Sequence, residues 1–81
     1  MNVRVHLFAR ARQLAGCDLL EVELPSGGTI GQLRSEIERR WPQLADFLPF
    51  CLFAVDAGYA NDTTAISPQA TVACIPPVSG G

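Results

Sequence analysis

The sequence predicts a small α+β domain in which one main helix lies on one face of a mixed sheet. Three observations predict it. Residues Asn2 to Phe8 and Leu19 to Leu24 alternate along the chain with the period of half-buried strands. Ile30, Leu33, Ile37 and Trp41 recur at spacings of three, four and four, which gives a helix one apolar stripe. The elements run strand, strand, helix, strand, short strand, strand, and 81 residues leave no room for a second domain.

In the first strand Val3, Val5 and Leu7 face one way, and Arg4, His6 and Phe8 the other. Ala9 to Ala15 holds good helix formers and stops at Gly16, which fits a helical turn closed by a left-handed glycine. The second strand ends in Pro25-Ser26-Gly27-Gly28. Thr29 and Gln32 form a capping box, whose hydroxyl and amide satisfy backbone donors that a helix start leaves orphaned. Arg34, Glu38 and Arg39 take the wet side of the helix, Trp41 reads as core, and Pro42 ends the helix near Arg40 or Trp41. Leu44, Phe47 and Leu48 read as a short loop-helix at the edge of the core. Phe50 to Val55 is a continuous apolar run of strand length, and Asp56-Ala57-Gly58 supplies turn chemistry. Tyr59 to Asn61 reads as a short edge strand and Asp62 to Pro68 as an irregular crossing. Thr71 to Ile75 is a last strand, stopped by Pro76-Pro77. The order of elements alone fits a ubiquitin-like β-grasp and several other small folds; a hairpin, a helix crossing one face and a final strand beside the first make the β-grasp the favoured one. In that arrangement Ile30, Leu33 and Ile37 pack onto Val3, Val5 and Leu7. Residues 1–76 are expected to form this domain and 77–81 an extended C-terminal tail.

Composition removes several function classes. With 48% apolar and 17% charged residues, the chain is expected to fold, burying about 60% of its extended surface. Six arginines against eight acids give a net charge of −2 with no basic stripe, so nucleic acid is not an expected partner. The absence of lysine excludes P-loop and Schiff-base chemistry. The longest apolar run, Phe50 to Val55, is far too short to span a bilayer, and Arg4 and His6 interrupt any signal-peptide core, so a cytoplasmic location is expected. Cys17, Cys51 and Cys74 are odd in number and widely spaced, which fits small buried or half-buried residues better than a metal site or a catalytic thiol. His6 is the only histidine, with no orienting partner visible in the sequence.

The tail carries the most information. Pro76-Pro77 projects it from the last strand as a stiff extended stalk. Gly80-Gly81 lets another protein's pocket close on bare backbone around the terminal carboxylate. Val5-His6-Leu7-Phe8-Ala9-Arg10-Ala11-Arg12-Gln13-Leu14-Ala15-Gly16 at one end and Pro76-Pro77-Val78-Ser79-Gly80-Gly81 at the other resemble the MoaD/ThiS-type sulfur carriers, in particular the small subunit of molybdopterin synthase. The resemblance spans the whole chain. Two turns depart from the family pattern: Asp56 stands where an asparagine is frequent, and Pro68-Gln69-Ala70 where an acidic Gly-Asp-Glu-like turn is usual. Both departures bear on partner specificity.

The resemblance implies a cosubstrate rather than a catalyst. A carboxylate with an α-carboxyl pKa of about 3.5 is a poor electrophile at neutral pH and must be activated. An E1-like adenylyltransferase is expected to use ATP and Mg²⁺ to adenylate Gly81. Sulfur from a donor protein's persulfide then makes a thiocarboxylate, which passes it to the pterin precursor in the large subunit. Gly81 is therefore the reacting residue, and Pro77, Val78, Ser79 and Gly80 form the inserted stalk. The chain itself is expected to hold no cofactor and no metal. Strand parity places Phe8 and Ile75 on the sheet face away from the helix, an apolar patch suited to a partner. Tyr59 resembles a third apolar position of that face, and Arg12 a frequent interface arginine or else a solvated surface charge. The family implies a heterotetramer of two small and two large subunits. Carriers of thiamine or cysteine biosynthesis share the Gly-Gly end, as do ubiquitin-like protein modifiers; Pro-Pro-Val-Ser favours the synthase reading.

Overall fold

The alternation of the first strand reappears as burial. In β1 (Asn2–Leu7) Val3, Val5 and Leu7 are buried, while Asn2, Arg4 and His6 are exposed. The computed structural model describes residues 1–77. Its other strands are β2 (Leu19–Glu23), β3 (Leu52–Val55), β4 (Gly58–Ala60) and β5 (Val72–Ile75), joined in one sheet of order β2-β1-β5-β3-β4. β1 pairs antiparallel with β2 and parallel with β5, the last strand returning beside the first as expected. β3 pairs antiparallel with both β5 and β4. The short helix α1 (Ala9–Ala15) follows β1 and closes on Gly16 in the left-handed conformation, φ +78°.

The main helix α2 (Ile30–Arg40) buries Ile30, Leu33 and Ile37 completely against Val5, Val22, Phe53 and Val72 in one core cluster. This is the ubiquitin-like β-grasp. The capping box is present at its start: Thr29 Oγ1 accepts from the Gln32 amide at 3.3 Å and the Gln32 side chain accepts from the Thr29 amide at 2.9 Å. The crossing before β5 is tied to the same end. The Ile30 amide donates to the Thr64 carbonyl at 3.0 Å and the Ile66 amide to the Gly28 carbonyl at 2.8 Å, which seats Ile66 in the core. Trp41 caps the helix end and packs against the core, half-buried.

Three expectations change. Arg34 leaves the wet side of α2: its side chain is only 20% exposed and donates to the carbonyls of Leu48 at 2.5 Å and Cys51 at 3.2 Å. The Leu48 carbonyl also accepts from the Cys51 amide at 3.0 Å across the 3₁₀ turn Leu48–Phe50, and the Cys51 carbonyl follows that turn just ahead of β3, so the guanidinium ties the turn to α2. The run from Phe50 to Val55 is not one buried strand. Phe50 belongs to that 3₁₀ turn, and β3 opens on an exposed Leu52 before the buried Phe53 and Ala54. Finally, Cys17 is exposed, while Cys51 and Cys74 are buried as expected. Among the described residues, no helix is long and apolar enough to cross a membrane.

Candidate functional site

The outer face of the sheet is divided by chemistry. Over β1 and β2 it is polar: Asn2, Arg4, His6 and Glu21 line a shallow groove with Pro68-Gln69-Ala70-Thr71, and Arg4 pairs with Glu21 at 3.7 Å. Over β5, β3 and β4 it is apolar. Directly paired residues of a sheet share a face, so the Leu52–Ile75 pair and the Ala54–Tyr59 pair form two adjacent apolar rows. Leu52 is 53% and Tyr59 75% exposed, an uncommon fate for side chains this large.

Phe8 joins the first row from the far side. Its backbone is extended, φ −129° and ψ 153°, so it continues the parity of β1 beyond Leu7, the partner of Cys74. Ala9 then turns the chain through a left-handed φ of +50°, leaving Phe8 half exposed beside Ile75. Phe8, Ala9, Arg10, Phe47, Ile75, Pro76 and Pro77 line one apolar groove at the root of the tail. Arg12 lies on the other side of Phe8, exposed, in a depression shared with His6, Asp18 and Leu19.

The structure thus brings Phe8 and Ile75 together, sets Tyr59 on the same face at its edge strand, and flanks Phe8 with Arg12. Pro77 is the last described residue and closes the groove. Val78, Ser79, Gly80 and Gly81 lie outside the described residues. Sequence reasoning missed Leu52, hidden in an unbroken apolar run, and Arg10, which the sequence offers as one more arginine near α1.

Asp56 has a structural account. Asp56 and Ala57 both carry left-handed φ, +49° and +69°, the requirement of a tight two-residue hairpin between β3 and β4. The Asp56 carboxylate accepts from the Thr71 amide at 2.9 Å, and the Asp56 amide donates to the Thr71 carbonyl at 2.9 Å, pinning the hairpin to the start of β5. Pro68-Gln69-Ala70 forms a turn closed by the Ala70 amide on the Ser67 carbonyl at 3.0 Å. Among the described residues no cluster of His, Cys, Asp and Glu is placed to hold a metal.

The ThiS family pattern matches residues 5–81, all but the first four positions. The chain belongs to the ThiS family. Over its full length it is 33% identical to the molybdopterin synthase sulfur carrier subunit of Arabidopsis thaliana, covering 84% of that protein. Among solved structures it is similar to the molybdopterin converting factor subunit 1 described from Pyrococcus furiosus, with 31% identity, TM-score 0.86 and coverage of 96% of this chain and 99% of that one. Two further structures match in fold, each covering 100% of both chains: SAMP1 from Haloferax volcanii, TM-score 0.90 at 21% identity, and a chain in the complex of subunits 1 and 2 of the Helicobacter pylori molybdopterin-converting factor, TM-score 0.71 at 22%. The apolar half of the sheet face lies beside β5, the strand that Pro76-Pro77 follows.

Proposed function

We propose that this ThiS-family chain is the sulfur carrier subunit of a molybdopterin synthase, and that it acts through its C-terminal glycine. The observation that carries the reading is the full-length agreement with a molybdopterin synthase sulfur carrier subunit. The site geometry supports it. A subunit that delivers its own terminus needs a docking face next to the root of the tail, and Phe8, Leu52 and Ile75 form such a face beside Pro76-Pro77. The partner on that face is the large subunit of the synthase, with Tyr59 at one border and Arg12 at the other. Together with an E1-like enzyme and a sulfur-donor protein, it makes the set of partners.

The Gly81 carboxylate attacks the α-phosphorus of ATP, held with Mg²⁺ by the E1-like partner, and expels pyrophosphate. A persulfide sulfur displaces AMP from the acyl carbon, and cleavage of the sulfur–sulfur bond by a second thiol leaves the thiocarboxylate. Val78, Ser79 and Gly80 pass through a narrow channel in the large subunit and present that sulfur to the pterin precursor. The reaction requires near-attack placement, and removing Gly81 retracts the tail by about 3.5 Å. Intact mass spectrometry after incubation with the activating enzyme, ATP and a persulfide donor should show one terminal oxygen exchanged for sulfur. The Gly81 deletion, and a variant with one alanine appended, should bind the large subunit normally yet yield no molybdopterin. Near-normal product from either variant, or an isopeptide conjugate in place of the thiocarboxylate, would overturn the reading.

A further inference from the structure

The arginines of the chain do not share one fate. Arg4 pairs with Glu21, Arg34 with Asp62 and Arg39 with Glu36, and the Arg40 guanidinium lies 5.0 Å from the centre of the Trp41 ring. Arg10 and Arg12 have no ion pair or ring contact of this kind among the described residues. Both are exposed, and they flank Phe8 from opposite sides. Arg12 shares its depression with Asp18. Arg10 instead lies in the apolar groove at the root of the tail, with Phe8, Phe47, Ile75 and Pro77, and no described residue of that lining is acidic. The backbone that carries Arg10 is fixed: Ala9 turns the chain at φ +50°, the Ala11 amide donates to the Phe8 carbonyl at 3.1 Å, and Ala11 is buried.

A partner that docks on Phe8 and Ile75 covers this groove and removes its water. A guanidinium shut in beside Phe47 and Pro77 with no opposite charge would oppose that docking, because a desolvated ion without a counter-charge is strongly unfavourable. We propose that Arg10 is a specificity residue of the docking face, which pairs with a carboxylate that the large subunit of the synthase brings into the groove.

The proposal rests on the sulfur-carrier reading and adds to it the chemistry that the partner's surface must carry: an acid set in an apolar ridge. The planar fork of arginine suits a carboxylate, which it holds by two parallel hydrogen bonds. A surface that is apolar throughout leaves the guanidinium desolvated and alone, and a basic one repels it, so the groove rejects both. Arg12 has a different part. At the border of the face, with Asp18 beside it, it stays in water and acts on the approach of the partner rather than on its retention.

Association and dissociation rates of the full-length chain with the purified large subunit test the assignment. Arg10→Gln should weaken binding at least about 30-fold, chiefly through faster dissociation, since it leaves the partner's carboxylate buried and unpaired. Arg12→Gln should instead slow association, and its effect should fade in about 0.5 M sodium chloride. Arg10→Lys should recover part of the loss, and Arg10→Glu should bind more weakly than Arg10→Gln. Thermal unfolding should be the same in all these variants, and the order Lys, Gln, Glu follows charge, which a merely structural role would not. Wild-type binding that Arg10→Gln and Arg10→Glu both leave unchanged would overturn the proposal while the carrier reading stands. A wild-type chain that does not bind the large subunit would overturn both. In the chain alone, a shift of the Gly81 carboxylate carbon resonance in Arg10→Gln would give the arginine to the chain's own terminus, and a change in sedimentation would give it to a second copy; either would equally overturn the proposal.

Discussion

Arg34 shows how a single side chain can leave the pattern that its helix imposes. Its position on α2 is adjacent to the apolar stripe, so hydropathy alone assigns it to water. The two carbonyls it satisfies belong to a turn fourteen and seventeen residues away, a relation that no local pattern carries. Its guanidinium also lies 4.7 Å from the centre of the Phe53 ring and pairs with Asp62 at 3.2 Å. Arg34→Ala would take the guanidinium from the Cys51 carbonyl, leave the Leu48 carbonyl only its bond from the Cys51 amide, and strip one face of Phe53. It should lower unfolding free energy by about 2–3 kcal/mol in urea titration. Arg34→Lys should recover only a minor part, because an ammonium on a single stem cannot reproduce the fork.

At the scale of elements, those with strong periodicity and explicit stop signals were legible: β1, β2 and α2 with its capping box are where the sequence put them, within a residue or two. The strand β3 was legible as a strand but not in its extent, since an apolar run with no polar residue hides which side is buried. Leu52 was lost from the candidate face for that reason. The hairpin after β3 was visible as a turn, whereas the left-handed demand on both of its central residues was not, because neither is glycine. That demand yields a test. Alanine at a φ of +69° carries a backbone cost that glycine avoids, and the Ala57 position faces solvent. Ala57→Gly should therefore raise the unfolding free energy by about 1 kcal/mol in thermal or urea unfolding.

The whole molecule presents one sheet face to solvent, half polar and half apolar, with the tail leaving from the apolar half. Parity placed Phe8 and Ile75 on the same outer face, and the structure brings both into one groove there. Sequence could not supply the lateral order of strands that makes Leu52 the third member, because that order is set by pairings between distant segments. Phe8→Asp and Leu52→Asp each place an unpaired carboxylate in a contact that must shed its water, and both positions are exposed enough for the domain to remain folded. Each should weaken binding to the large subunit by at least about 2 kcal/mol, some 30-fold, in calorimetric titration. Unchanged affinity in both variants would move the docking face elsewhere.

The position of β5 has a mechanical consequence. It is an interior strand, bonded to β1 on one side and β3 on the other, and Pro76-Pro77 follow it directly in the chain. A pull on that end loads both ladders in shear: the rungs lie across the direction of force and strain together, instead of parting one at a time as in a peeled edge strand. A partner that grips the terminus and lets go again thus tugs on the part of the fold that yields last, and the domain can serve as a rigid handle for its own tail.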